Sequence, residues 1–105
     1  MAEESTRHER ELVAEAEEPK VKRPPLYQVV LLNDDYTTME FVIRVLESVF
    51  QKSPAEAYRI MMNVHVQGRG IAGVYPWEIA ETKADTVASL ARDAQYPLRA
   101  AVEEA

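Results

Sequence analysis

The sequence predicts an α+β domain in which helices pack on one face of a short antiparallel sheet, in the order β-α-α-β-α-β. Three observations lead to this prediction. A run of β-branched and aromatic residues at positions 26–32 is typical of a buried strand. Two helix-start signals then precede apolar residues at helical spacing. Two further strand patterns, separated by a third helical pattern, complete the chain.

The first strand and the first helix are joined by a short polar stretch. The strand runs from Leu26 to Leu32, and the three residues 33–35, Asn-Asp-Asp, end it. Thr37 to Glu40 then forms a capping-box pattern, in which the Thr37 hydroxyl caps the helix and Glu40 reaches back. The apolar residues that follow at helical spacing are Met39, Val42, Ile43, Leu46, Val49 and Phe50.

A second helix begins at Ser53 and Pro54, because proline is favoured at the first helical position, and it ends before Gly68. One side of this helix presents Ala57, Ile60, Met61, Val64 and His65. Residues 68–70, Gly-Arg-Gly, are interpreted as a turn.

The last third of the chain predicts a strand, a helix and a strand. The strand spans Ile71 to Tyr75, and a helix from about Trp77 to Ala94 follows it. The helix residues predicted to face inward are Ala80, Ala84, Val87, Leu90 and Ala91. Pro97 ends the helix, and apolar residues at 98, 100 and 102 alternate with other residues, which indicates a final strand.

Composition divides the 105 residues into an extension, residues 1–25, and one core domain, residues 26–105. The extension contains seven glutamates, five lysines or arginines and no aromatic residue, so it is predicted to be flexible. Its consecutive prolines, Pro24 and Pro25, favour extended chain.

Charge and hydropathy exclude several classes of function. A net charge of −6 argues against nucleic-acid binding, which normally requires a basic face. The chain has no cysteine, and no apolar run approaches the roughly 20 residues that cross a bilayer. The acidic start lacks the features of a secretory signal. We therefore expect a cytoplasmic protein with no membrane partner.

Two features are candidates for a binding site. Asn33, Asp34 and Asp35 offer a set of acceptors for a cation, although Asn and Asp also occur in ordinary turns. His65 shares a helix face with Met61, one turn earlier, and the same pattern would suit a histidine of the core. The methionines at 39, 61 and 62 would either fill the core or form an adaptable wall for an apolar ligand.

Several separate motifs resemble those of the ClpS family. Residues 33–42, Asn-Asp-Asp-Tyr-Thr-Thr-Met-Glu-Phe-Val, are similar to the family's signature stretch. Residues 60–65, Ile-Met-Met-Asn-Val-His, then Gln-Gly at 67–68 and Gly-Val-Tyr at 73–75, continue the match in register. Residues 78–83 and Pro97-Leu98 complete it, so the resemblance covers about residues 27–104.

The resemblance implies an adaptor, not an enzyme, that binds N-degrons, which are proteins whose first residue is Leu, Phe, Tyr or Trp. It assigns the α-amino group of the ligand to Asn33, Asp34, Asp35 and His65. It assigns the apolar side-chain pocket to Leu31, Leu32, Thr37, Met39, Val42, Met61, Val64 and Leu98. Within that pocket, Met39 corresponds to the methionine that guards the entrance against β-branched first residues.

The resemblance also implies a partner and excludes a cofactor. It implies that the ligand is delivered to a Clp AAA+ ATPase of the ClpA or ClpC type, whose N-terminal domain would contact Glu78 and Lys83. Alternatively, Glu78 and Lys83 would only belong to a charged helix face that is exposed to solvent. We expect a monomer with no metal and no cofactor, whose extension assists delivery.

The sequence departs from the family pattern at few positions, and none belongs to the amine-binding set. Thr38 replaces a common proline, Ala72 a common cysteine and Tyr96 a frequent histidine, while Pro76-Trp77 is less usual.

Two rival interpretations start from the same residues. Asp34, Asp35 and His65 would be the candidates for a hydrolytic or metal site, but the chain has no HExxH pattern and no cysteine. The predicted arrangement is also similar to the C-terminal domain of the bacterial ribosomal stalk protein, an interaction domain without a pocket.

Overall fold

The computed structural model describes residues 24–105, and these residues form three strands and three helices in the predicted order. The elements are β1 (Leu26–Leu32), α1 (Met39–Ser48), α2 (Pro54–Gln67), β2 (Arg69–Pro76), α3 (Trp77–Asp93) and β3 (Arg99–Glu104). The predicted α+β fold class is confirmed. The predicted flexible extension, apart from its last two residues, lies outside the described residues.

The sheet places β1 in the centre, in the order β2-β1-β3, and both pairings are antiparallel. The register pairs Leu32 with Arg69 on one side and with Arg99 on the other. An irregularity between Val29 and Val30 leaves Ala72 of β2 without an opposite residue, which is the arrangement of a β-bulge.

The core lies between one face of the sheet and the helices. β1 contributes Val29 and Leu31, both fully buried, because alternate residues of a strand point to the same face. The other buried residues of this cluster are Val42, Val45, Leu46, Val49, Phe50, Ala57, Ile60, Met61, Val64, Ala72, Ala80, Val87, Ala91 and Leu98. Leu90 was predicted to face inward, but it is 37% exposed and does not belong to this cluster.

The first helix is capped one residue later than predicted. Thr38 is the N-cap of α1, and its Oγ1 accepts a hydrogen bond of 3.1 Å from the N–H of Phe41. Thr37 does not cap the helix, because its hydroxyl donates to Asp34 instead. The second helix starts as predicted, with Ser53 as N-cap and Pro54 at its first position.

The predicted turn at residues 68–70 is only partly correct. Gly68 ends α2 with φ 90°, a left-handed conformation that glycine adopts without strain. Arg69 and Gly70, however, already belong to β2. A Cβ atom at Gly70 would lie 2.8 Å from Cγ2 of Val64, so glycine there lets the strand approach α2 closely. None of the described helices is long and apolar enough to span a membrane.

Candidate functional site

The candidate site forms where the end of β1 meets the end of α2. The N–H of Asn33 donates a 3.0 Å hydrogen bond to the carbonyl of Gly68, the residue that ends α2. His65 lies three residues earlier, in the last turn of that helix. The pairing of β1 with β2 therefore brings the Asn-Asp-Asp stretch to the histidine, although about 30 positions separate them in the sequence.

Asp34 organises the loop between β1 and α1. Its Oδ1 accepts hydrogen bonds from the N–H groups of Tyr36, at 2.8 Å, and Thr37, at 2.7 Å. Its Oδ2 accepts a hydrogen bond of 2.7 Å from the Thr37 hydroxyl. Partial burial raises the pKa of the Asp34 carboxyl, but these hydrogen bonds from Thr37 and Tyr36 outweigh that effect and hold the pKa below its ordinary value.

A groove of about 420 Å³ opens beside this loop. It lies between the β1–α1 loop, the start of α1 and the second half of α2. The groove is lined by Asn33, Asp34, Asp35, Tyr36, Thr37, Thr38, Met39, Val42, Met61, Val64 and His65.

The groove has a polar part and an apolar part. Asn33, Asp35 and His65 are solvent-exposed, so their side chains are open to a ligand. The apolar part is contributed by residues that also belong to the core: Val42 is 6% exposed, and Met61 and Val64 are each 3% exposed. Such an arrangement can accept hydrogen bonds from a cation while it takes up an apolar group next to it.

The structure brings together nine of the predicted site residues in this one groove. All four residues predicted to bind an α-amino group line it: Asn33, Asp34, Asp35 and His65. Five of the predicted pocket residues line it as well: Thr37, Met39, Val42, Met61 and Val64. Met39 is 45% exposed and lies at the start of α1.

Three predicted pocket residues do not line the groove. Leu31 and Leu98 are 0% and 4% exposed and belong to the same hydrophobic cluster as Val42, Met61 and Val64. Leu32 follows Leu31 directly and therefore faces the opposite side of the sheet.

Two residues of the groove were absent from the predicted site, namely Tyr36 and Thr38. Tyr36 is 77% exposed. The Thr38 hydroxyl lies 3.5 Å from that of Tyr96, whose ring packs against Phe41 at a centroid distance of 4.9 Å. The signal that could have identified them is their position between predicted site residues, in the continuous stretch from Asn33 to Met39.

Glu78 and Lys83, the two residues predicted to contact a Clp ATPase, lie on α3 and outside the groove. Glu78 is exposed in the first turn of the helix. Lys83 is half-buried, and its Nζ donates hydrogen bonds to the carbonyl of Val49, at 2.6 Å, and to Oε1 of Gln51, at 3.4 Å. Its ammonium group also lies 5.3 Å from the ring centroid of Tyr75.

The groove offers carboxylate, amide and imidazole groups, all of which are also metal ligands. Within residues 24–105, however, no three His, Cys, Asp or Glu side chains are grouped closely enough to hold a metal ion.

Comparison with known proteins connects this chain to one family. A family model described as "ATP-dependent Clp protease adaptor protein ClpS" matches residues 22–101. The ATP-dependent Clp protease adapter protein ClpS of Maricaulis maris is 55% identical over 86 residues, which is 82% of this chain and 79% of that protein. The protein of the same name from Xanthomonas oryzae is 48% identical over 101 residues, which is 96% of this chain and 95% of that protein.

A solved structure is similar as well. The structure of Agrobacterium tumefaciens ClpS2 bound to L-phenylalaninamide superimposes with a TM-score of 0.76 at 44% sequence identity. The match covers 79% of this chain and 100% of that one.

Proposed function

The chain belongs to the ClpS family of ATP-dependent Clp protease adaptor proteins, and from this premise we propose that its groove binds the first residue of N-degron proteins. The protein then passes them to the Clp ATPase–protease. One observation carries this proposal: the groove joins the acceptors Asn33, Asp35 and His65 to an apolar surface made by Met61 and Val64. L-Phenylalaninamide, to which the similar Agrobacterium protein is bound, combines a free α-amino group with an aromatic side chain.

The exposed acceptors are suited to an ammonium group. A free N-terminus carries three N–H donors, which the Asn33 carbonyl oxygen, the Asp35 carboxylate and a neutral His65 ring nitrogen would accept. Charge-assisted hydrogen bonds of this kind contribute about 1.5–3 kcal/mol each. An internal residue has no ammonium group, and the peptide before it would collide with the loop, so the site selects chain ends.

Asp34 has a different part in the proposed site. Both of its carboxylate oxygens already accept hydrogen bonds from Tyr36 and Thr37. We assign to it the shaping of the loop and a contribution of negative charge beside the ammonium group, while Asp35 makes the direct contact.

The apolar part of the groove would hold the first side chain. Burying a leucine or phenylalanine side chain contributes about 1.5–3 kcal/mol, which a small or charged side chain does not gain. Met39 lies exposed at the start of α1, where its side chain would restrict entry of first residues that branch at Cβ. Leu31 and Leu98 would act from the core behind Met61 and Val64, because all four belong to one cluster.

Delivery requires a second surface, and we place it on α3. Glu78 is exposed there and free to meet the N-terminal domain of a ClpA- or ClpC-type ATPase. Lys83 is tied to Val49, so its part in the contact includes holding the end of α1 in place. The protein would act as a monomer, without catalysis of its own, in the cytoplasm.

A panel of short peptides that differ only in their first residue tests the proposal. Peptides that begin with Leu, Phe, Tyr or Trp should bind, and matched peptides that begin with Ser or Met should bind much more weakly. Equal affinity across the panel would exclude a pocket that reads the first side chain.

A further inference from the structure

A second and larger groove, of about 760 Å³, lies between α2 and the outer edge of β2. It shares no residue with the candidate site. The groove is lined by Lys52, Arg59, Ile60, Asn63, Gln67, Arg69, Gly70, Ile71, Gly73 and Val74.

This groove is positively charged, whereas the chain as a whole is acidic. Lys52, Arg59 and Arg69 line it, and no aspartate or glutamate is among its lining residues. Arg59 and Arg69 are paired with Glu56 at 2.9 Å and with Glu103 at 2.6 Å, but these ion pairs are at the surface. Because exposed pairs are weak and exchange readily, the guanidinium groups remain open to another carboxylate.

The strand that forms one wall of the groove has an open edge. Within residues 24–105, β2 pairs with β1 alone, so the backbone groups on its outer side have no strand beside them. Ile71 and Val74 are 48% and 46% exposed along this wall. An extended polypeptide could add to such an edge through its backbone while its side chains meet the neighbouring charges.

The opposite edge of the sheet does not share this excess of basic residues. β3 carries Arg99 at its start and Glu103 and Glu104 at its end, and Glu103 is the partner of Arg69. An acidic segment would therefore be attracted more strongly to the β2 groove than to the β3 edge.

We propose that residues 11–18 of this same chain bind in the β2 groove and form an intramolecular latch. These eight residues contain Glu11, Glu15, Glu17 and Glu18 but no lysine or arginine, so their charge complements that of the groove. They also contain Leu12 and Val13, which suit the apolar wall formed by Ile71 and Val74. The sequence places this segment outside the described residues, a short distance before β1.

The position of β1 makes this contact possible. Leu26, its first residue, is paired with Pro76 at the end of β2, and neighbouring strands lie about 4.8 Å apart. The seven residues between the segment and β1 span up to about 25 Å when extended. The segment can therefore reach the end of the groove near Val74 and continue along β2.

The latch would hold the N-terminal extension against the domain in a groove that shares no residue with the candidate site. This inference does not depend on the N-degron proposal, because the two grooves have no residue in common. A partner that competes for Lys52, Arg59 and Arg69 would release the extension, and so would high salt.

Paramagnetic relaxation measured on the full chain tests the latch. The chain has no cysteine, so Ala14→Cys introduces a single attachment point for a nitroxide. We expect the amide signals of Asn63, Gln67 and Ile71 to lose much more intensity than those of the β3 edge. At about 1 M NaCl, where the Debye length is about 3 Å, the lost intensity should return.

A charge variant supplies the matched control. Combining E11Q, E15Q, E17Q and E18Q in the labelled chain should restore the β2 signals, whereas E3Q, E4Q and E9Q, also in the extension, should not. Neither set should alter the affinity for a Phe-initiated peptide, which separates this test from that of the proposed function.

Three results would overturn the proposal. They are unchanged β2 signals in the labelled chain, equal losses on the β3 edge, and losses that persist in the fourfold variant. A mixture of nitroxide-labelled chain with isotope-labelled, nitroxide-free chain checks the intramolecular contact. Signal loss in that mixture equal to the loss within one chain would assign the groove to a second copy and contradict the latch.

Discussion

Thr37 donates two hydrogen bonds to the carboxylate of Asp34, one from its N–H to Oδ1 and one from its hydroxyl to Oδ2, each 2.7 Å long. This pairing fixes the loop that carries the site and moves the helix cap to Thr38. It also separates the roles of two adjacent acids, because Asp34 is engaged within the loop while Asp35 is exposed at the groove.

The two acids should therefore respond differently to neutralisation. Asp35→Asn removes the exposed charge, so peptide affinity should fall about ten- to a hundredfold with little change in stability. Asp34→Ala removes three hydrogen bonds of the loop and should lower the free energy of unfolding by about 1 kcal/mol. Urea denaturation and peptide titration on both variants check this. Equal stability loss in the two variants would contradict the assignment.

Asp34 should also make stability depend on pH. Its pKa is lower in the folded chain than the ordinary value of 3.8, so its ionised form stabilises the fold above that value. This contribution disappears as pH falls through the folded-state pKa. The Asp34→Asn variant lacks this contribution at every pH. The difference in free energy of unfolding between wild type and variant should therefore become smaller below about pH 4. Denaturation series at several pH values measure the gap, and a constant gap would argue that the charge of Asp34 does not stabilise the loop.

Peptide binding should depend on the hydrogen-bond acceptor at position 65. His65→Gln keeps an oxygen that can accept a hydrogen bond from the ammonium group, whereas His65→Leu removes every acceptor at this position. Affinity for a Phe-initiated peptide should therefore fall about tenfold or more in His65→Leu and much less in His65→Gln. Peptide titration on both variants measures the difference, and equal affinity in wild type and His65→Leu would contradict the role assigned to His65.

Substitutions of Lys83 and Glu78 should differ in their effect on the free energy of unfolding. Lys83→Met removes the 2.6 Å hydrogen bond to the carbonyl of Val49 and the contact with the Tyr75 ring, so unfolding should become easier by about 1 kcal/mol. Glu78→Gln affects only an exposed side chain and should leave stability unchanged. Both variants should bind the isolated N-terminal domain of a Clp ATPase more weakly. Full binding by both would remove α3 from the docking surface.

The order of strands and helices could be predicted because each element carries its own local signal. Leu26–Leu32 and Pro54–Gln67 are bounded by residues that end or start such elements, and the structure keeps those bounds. The predicted bounds were wrong where a contact between two elements determines the structure. Arg69 and Gly70 join β2 since the strand pairs with β1 and packs against Val64, which the glycine-rich sequence alone does not indicate.

The site shows the same limit. The motifs identified nine residues that line the groove, but they also assigned Leu31 and Leu98 to the pocket, whereas both are buried in the core and do not line the groove. The hydrogen bond from Lys83 to the Val49 carbonyl joins residues 34 positions apart, so no local sequence pattern predicts it. Tyr36 and Thr38 were missed because an exposed tyrosine and a helix-cap threonine each have an ordinary structural explanation.

The most direct test compares one Phe-initiated peptide with the same peptide acetylated at its N-terminus, titrated into the wild-type protein by calorimetry. Acetylation leaves the aromatic side chain intact and removes the ammonium group that Asn33, Asp35 and His65 are proposed to bind. We expect affinity to fall by more than about a hundredfold, since several charge-assisted hydrogen bonds are lost together. Undiminished binding of the acetylated peptide would show that the groove does not recognise the beginning of a polypeptide.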